Sequence, residues 1–322
     1  MTDRPSEFAL IAQLFAPLAE APGAFGLTDD VALLPARAGH DLVATTDALV
    51  EGVHFLADDP PDSIAKKALR ANLSDLAAKG AEPAGYLLAL SLPARIPMTW
   101  LEGFARGLGE DQKTFAVPLL GGDTTATPGP LTLAITAMGY VPAGAMIRRA
   151  GAKAGDGVYV SGTIGDAGGG LALLKGEEAD IRGAGELIER YRLPSPRLAL
   201  GRALRGVASA ALDVSDGLIA DLSHIAEVSH VRIAVEAGRI PRSSALRALW
   251  GDTPEAIVRA ATAGDDYEIA FTSSSEGRVI EAAKLAGVAV ARIGRVEEGS
   301  GVALLDSNGR EIAVSRGGFT HF

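Results

Sequence analysis

Cysteine is missing from the 322-residue chain, which excludes disulfides, zinc–thiolate sites and iron–sulfur ligation and is compatible with a cytoplasmic protein. No Lys/Arg-rich run occurs, and 30 basic against 40 acidic residues leave a net charge of −10. The electrostatic footprint of a nucleic-acid binder is therefore absent, and small molecules are the expected partners. No apolar stretch reaches the length of a membrane span. A Gly-x4-Gly-Lys-Ser/Thr loop is also lacking, which rules out ordinary P-loop chemistry. With neither a cysteine nor a Gly-x-Ser-x-Gly elbow, nucleophilic catalysis has little support. Of five histidines, only His54 lies in a motif.

What is present is enough for two α/β domains, because 322 residues at 48% hydrophobic content can build a sizeable core in each. The first segment follows helical spacing through Phe8, Ile11, Leu14, Phe15 and Leu18, with Asp3 and Glu7 leading it. It reads as one amphipathic helix, not a signal peptide. Glycine, at 39 residues, clusters beside the aspartates, so backbone approaches something closely there.

Those aspartates recur where apolar runs end: Asp29 and Asp30, Asp47, Asp75 in Asn72-Leu-Ser-Asp, Asp123 in Gly121-Gly-Asp, and Asp213 and Asp216 in Leu212-Asp-Val-Ser-Asp-Gly. Asp41 to Thr46 reads as a buried strand delivering Thr45, Thr46 and Asp47 into a loop; a helix opening at Pro60 and ending near Gly80 carries Asn72 and Asp75 at the edge of its apolar face. A second strand ends in Gly121-Gly-Asp-Thr-Thr. Two carboxylates about 4 Å apart repel by roughly 1 to 4 kcal/mol, so a gathered set needs cations, and oxygen-only ligands point to several Mg2+ ions. Composition shifts around residues 141–155, placing a boundary that divides residues 1–145 from residues 146–322. In the second part, Gly162-Thr-Ile-Gly-Asp-Ala-Gly between strand and helix reads as a structural turn. Metal-assisted phosphoryl transfer matches this inventory, since it needs positioned cations and donors more than covalent machinery.

Thr45-Thr-Asp-Ala-Leu-Val-Glu-Gly-Val-His-Phe, Asn72-Leu-Ser-Asp-Leu-Ala-Ala, Gly121-Gly-Asp-Thr-Thr, Leu212-Asp-Val-Ser-Asp-Gly-Leu and Gly264-Asp-Asp-Tyr-Glu, in order along nearly the whole chain, resemble the thiamine-monophosphate kinase family. The resemblance implies a two-domain aminoimidazole ribonucleotide synthetase-like fold of mixed sheets flanked by helices. It also implies a cytoplasmic homodimer, formed through the N-terminal halves, that uses ATP and several Mg2+ to phosphorylate thiamine monophosphate. By motif match, Asp30, Thr45, Thr46, Asp47, Asp75, Asp123, Asp213 and Asp216 hold Mg2+; Gly122, Asp123, Arg148 and Ser215 contact ATP; His54, Asp265 and Phe319 contact thiamine monophosphate. The helix N-terminus after Asp216 is expected to support anions. Thr28, Asp265 and Ala105 depart from the family pattern; Ala105 stands where relatives often have an ATP-stacking tyrosine, and the choice of Asp265 over Asp266 depends on an ungapped reading. A sister ATP-dependent enzyme of the same superfamily, or a non-catalytic nucleotide- or metal-binding protein, is the alternative.

Overall fold

The computed structural model describes residues 5–321, so Asp3 lies outside it. The chain divides into two compact units. One holds the chain up to Leu76 with Ala81–Gly144, and the other holds Ala77–Gly80 with everything from Ala145 onward.

The first unit has a short helix α1 (Glu7–Leu10), strand β1 (His40–Val50), helix α2 (Pro61–Ala78), strand β2 (Glu82–Pro93), helix α3 (Met98–Phe115), and strands β3 (Leu119–Thr127) and β4 (Thr132–Pro142). The sheet order is β1-β4-β2-β3, antiparallel except for the parallel β2/β3 pair. Strand alternation sets its two faces. On β4, Leu133, Ile135 and Ala137 are buried, whereas Ala134, Thr136 and Met138 are only half-buried. The buried face packs on Leu69, Leu73 and Leu76 of α2 and Leu101, Phe104 and Leu108 of α3. The opposite face is far more open: Leu42 of β1 remains 55% exposed.

The leading segment is not one α-helix. After α1 the chain widens into a π turn over Ile11–Phe15 and tightens into a 3-10 turn over Ala16–Leu18. The widened turn lets Leu10 and Phe15, five apart, both bury, and it leaves Phe8 79% exposed.

The second unit runs β5 (Gly157–Ser161), α4 (Asp166–Leu174), α5 (Ala184–Arg192), α6 (Leu198–Ala203), β6 (Ala210–Asp213), α7 (Leu218–Ser229), β7 (Arg232–Glu236), α8 (Ser244–Trp250), α9 (Pro254–Thr262), β8 (Ile269–Ser273), α10 (Glu276–Ala286), β9 (Val290–Glu297) and β10 (Gly301–Leu305). Its six-stranded sheet has the order β10-β7-β9-β5-β8-β6. β5, β6 and β8 are buried along their whole length, as strands covered on both faces must be. One core forms around Val158, Val160, Leu212, Leu222, Ile225 and Ile293; another forms around Tyr159, Leu200, Leu204 and Phe271.

Candidate active site

In the first unit the expected loop ligands lie inside strands. β1 continues through Thr45, Thr46 and Asp47 to Val50, and β3 continues through Gly121, Gly122 and Asp123 to Thr127. The two-residue period therefore separates them. Thr45 pairs with buried Ala137 and Asp47 with buried Ile135, on the face covered by helices; Thr46 pairs with Thr136 on the open face. Thr45 Oγ1 donates to Asp75 Oδ2 of α2 at 2.5 Å, while Thr46 Oγ1 accepts from Thr136 Oγ1 at 3.0 Å. Asp75 and Asp47 interact, and burial first and the Asp75 charge second raise the Asp47 carboxyl from 3.8 to about 6. One helical turn before Asp75, the Asn72 amide donates to the Ala68 carbonyl at 3.0 Å, and its Oδ1 is buried with no partner. This all-oxygen set, with two like charges and an orphaned oxygen, fits a hard divalent cation.

Asp30 and Asp123 belong elsewhere in this unit. They line a groove of about 770 Å3 on the open face, together with Gly121, Gly122, Ala134 and Thr136. Asp29 and Asp30 are exposed in a bend. Gly122 has a steric requirement of its own, because an added Cβ would stand 1.9 Å from the Leu88 carbonyl oxygen of the neighbouring strand. Ala105 is only 7% exposed and packs in the core on α3, so no open face for stacking a base exists at that position.

His54 follows β1 in a turn. Its Nδ1 accepts from the Val50 N–H at 3.0 Å, which leaves the proton of the neutral ring on Nε2, and its carbonyl accepts from buried Lys67 Nζ at 2.9 Å. Glu51 is held by Arg95 and by the Leu131 N–H.

The second unit gathers more of its expected residues. Asp213 closes β6 and is buried; Ser215 and Asp216 follow, half-buried. The Ser215 carbonyl accepts from Asp265 N–H at 2.8 Å, and the Asp216 carbonyl accepts from Phe319 N–H at 2.9 Å. Backbone thus ties Ser215, Asp216, Asp265 and Phe319 into one patch. An added Cβ on Gly318 would lie 2.3 Å from the Asp216 oxygen, so only glycine permits that approach. Asp265 and Tyr267 both adopt positive φ, 68° and 51°, a strained conformation concentrated here. Phe319 is 43% exposed and meets His321 edge-on. Arg148 is exposed, and its carbonyl accepts from Ala211 N–H on edge strand β6 at 2.9 Å.

Asp266 has a different task. Fully buried, it accepts from Gly165 N–H at 2.6 Å and Ala167 N–H at 3.3 Å at the start of α4. Burial pushes its carboxyl well up, against the pull of the Gly165 N–H and of Arg190. The neighbouring Glu268 is bound by Arg190, Arg197 and Ser161 Oγ. The glycine-rich Gly162–Gly168 turn is therefore closed by the chain's own acid.

The turn leading into α7 is also held by the chain's own acid, although the N–H groups it takes precede the helix proper, which begins at Leu218. Asp221 Oδ2 accepts from the N–H groups of Ser215, Asp216 and Gly217 at 3.0, 3.1 and 3.1 Å. Burial, then the Asp216 charge, pushes Asp221 up to about 7 despite those three bonds. Asp221, missed in the sequence reading, stands five residues after Asp216 at a helical position that motif matching passes over. With His224 it completes a trio whose ligand atoms lie within 4.8 Å of one another. Among the described residues, no three acids of the first unit come as close.

Residues 28–141 match the family model for the AIR synthase related protein N-terminal domain, and residues 153–307 match that for the C-terminal domain. Fold and site thus place the chain among the AIR synthase related proteins. It is 48% identical to a thiamine-monophosphate kinase of Caulobacter vibrioides, over 98% of this chain and 91% of that one, and 39% identical to that of Escherichia coli K12 over 98% of each. The crystal structure of thiamine-monophosphate kinase from Stenotrophomonas maltophilia K279a matches at 42% identity with a TM-score of 0.84, covering 95% of this chain and 98% of that one. For AaThiL complexed with AMPPCP and TMP, the identity is 31% and the TM-score 0.78, over 93% and 97% of the two chains. The chain belongs to the thiamine-monophosphate kinase family. The hydrogenase maturation protein HypE in complex with ATP, at 19% identity and a TM-score of 0.80, shares the fold.

Proposed function

We propose that this chain transfers the γ-phosphoryl group of ATP directly and in line to the phosphate of thiamine monophosphate, giving ADP and thiamine diphosphate. The observation that carries the reading is the Thr45–Asp47–Asp75 group. Burial, and after it the Asp75 charge, raises the Asp47 carboxyl to about 6, and one turn before Asp75 on the same helix the buried Asn72 Oδ1 has no partner. Asp47, Asp75 and Thr45 would hold Mg2+ on the covered face of the first unit's sheet, and Thr46, Asp30 and Asp123 on its open side; Asp213 and Asp216 would do so in the second unit. An ion held there would supply neutralisation of phosphate charge. Gly122 and Asp123, with Arg148 and Ser215, contact the nucleotide; Arg148 suits a phosphate by its planar donor fork.

The acceptor needs no dedicated base, since a phosphate monoester with a second pKa of about 6 is largely ionised near neutral pH. His54, fixed in its turn by the Val50 N–H, would contact that phosphate. Phe319 presents an aromatic face suited to a cationic thiazolium, with Asp265 adding a carboxylate on the same patch.

The reading includes a homodimer in the cytoplasm. β1 and β3 are the two edges of the first unit's sheet, so three strand spacings of about 4.8 Å set Asp47 and Asp123 roughly 14 Å apart. One cation cannot bridge that span. A second copy packed on the open sheet face would cover its apolar surface, which includes the exposed Leu42. Incubation with ATP, Mg2+ and thiamine monophosphate, thiamine or an aminoimidazole precursor tests the reaction. Thiamine diphosphate is expected only from the monophosphate and is abolished by EDTA; product from free thiamine overturns the reading.

A further inference from the structure

Backbone N–H groups at the start of a helix ordinarily face outward and receive anions. In the turn that leads into α7 at Leu218, three consecutive N–H groups point inward instead. Ser215, Asp216 and Gly217 all aim their N–H groups at one oxygen of Asp221, a side chain from the next turn of α7 that is 4% exposed. Beyond that buried acid the turn carries the Ser215 hydroxyl and the Asp216 carboxylate, both half-buried, and exposed His224 has a ligand atom within 4.8 Å of the Asp216 carboxylate. The turn cannot easily shift to free its N–H groups. Its carbonyls are also taken, that of Val214 by Tyr267 N–H at 2.7 Å, that of Ser215 by Asp265 N–H at 2.8 Å and that of Asp216 by Phe319 N–H at 2.9 Å.

We infer that Asp221 is a positioning residue that sets the ligand class of this turn: its buried carboxylate occupies the three N–H groups, so the turn takes a divalent cation through Asp216 and refuses a bare phosphate. The inference rests on the reading of Asp216 as a metal ligand. Nucleotide phosphate then reaches this turn only as a metal complex, whereas a turn with free N–H groups would hold phosphate without metal. Asp221 does not itself touch the reacting atoms.

Three variants, each with a thermal melt to confirm folding, test the assignment on the protein without substrate: Asp221→Asn, Asp221→Ala and Asp216→Asn. Bound Mn2+ is counted by electron paramagnetic resonance, and inorganic phosphate binding is followed by calorimetry in EDTA. Asp221→Asn is expected to weaken by tenfold or more the same Mn2+ that Asp216→Asn removes, and Asp221→Ala to gain phosphate binding that the wild type lacks. Asp221→Asn keeps the shape of the side chain, so it decides the matter if the alanine variant fails to fold. Unchanged Mn2+ binding in Asp221→Asn, or phosphate bound equally by wild type and by Asp221→Ala, overturns the inference. Turnover is scored separately. A wild type that binds Mn2+ at Asp216 yet makes no thiamine diphosphate sinks the kinase reading and leaves the role of Asp221 standing.

Discussion

Asp47→Asn is expected to make the metal-free protein more stable while ending its turnover. Burial and the Asp75 charge raise the Asp47 carboxyl from 3.8 to about 6, a difference equivalent to about 3 kcal/mol. Because Asp47 is half-buried, solvent screens part of this, and a gain of about 1 to 3 kcal/mol is expected from a neutral side chain of the same shape. The folded-state value is raised, so the ionisation cost is absent below about pH 4, where folded and unfolded chains both hold the proton. It grows as pH rises and is complete above about pH 7. Thermal unfolding in EDTA at pH 8 should therefore place the variant several degrees above wild type, at roughly 2 to 4 °C per kcal/mol. At pH 4.5 the gap should shrink to about a third. Added Mg2+ should reverse the order, raising the wild type and leaving the variant nearly unmoved, since a ligand stabilises only the fold that binds it. A variant less stable than wild type in EDTA at pH 8, or a gain independent of pH, refutes the argument and makes Asp47 an ordinary structural residue.

Two further outcomes separate neighbours that the sequence leaves ambiguous. Asp265→Asn should raise the KM for thiamine monophosphate with little change in melting temperature. Asp266→Ala, which strands the buried N–H groups of Gly165 and Ala167, should cost about 1 to 3 kcal/mol for each, read by urea denaturation; the reverse pattern would exchange their roles. Ala105→Tyr should destabilise by about 1 to 3 kcal/mol through overpacking, with no fall in the KM for ATP. A tighter KM would show that position 105 reaches the nucleotide after all.

Much of the fold is legible in the sequence because its elements carry strong local signals. The α2 reading from Pro60 to near Gly80 meets a helix over Pro61–Ala78. Besides the leading segment, errors fall where glycine and threonine end an apolar run. There the chain keeps its hydrogen bonds instead of turning, so β1 runs on through Asp47 and β3 through Asp123. Local composition marks where burial stops, not where strand pairing stops. Thr46 shows the consequence, since one residue's shift along a strand sends a side chain to the other face.

The site was legible as an inventory of acids and not as an arrangement. Sequence spacing cannot tell an acid that faces a ligand from one that faces its own backbone. Asp216 and Asp221 sit on the same short stretch, as do Asp265 and Asp266, yet in each pair one member is buried against N–H groups and the other stays accessible. The buried members do to α7 and α4 what a bound phosphate does to the start of a glycine-rich loop's helix. The N–H groups that these two carboxylates hold are not open to a phosphate.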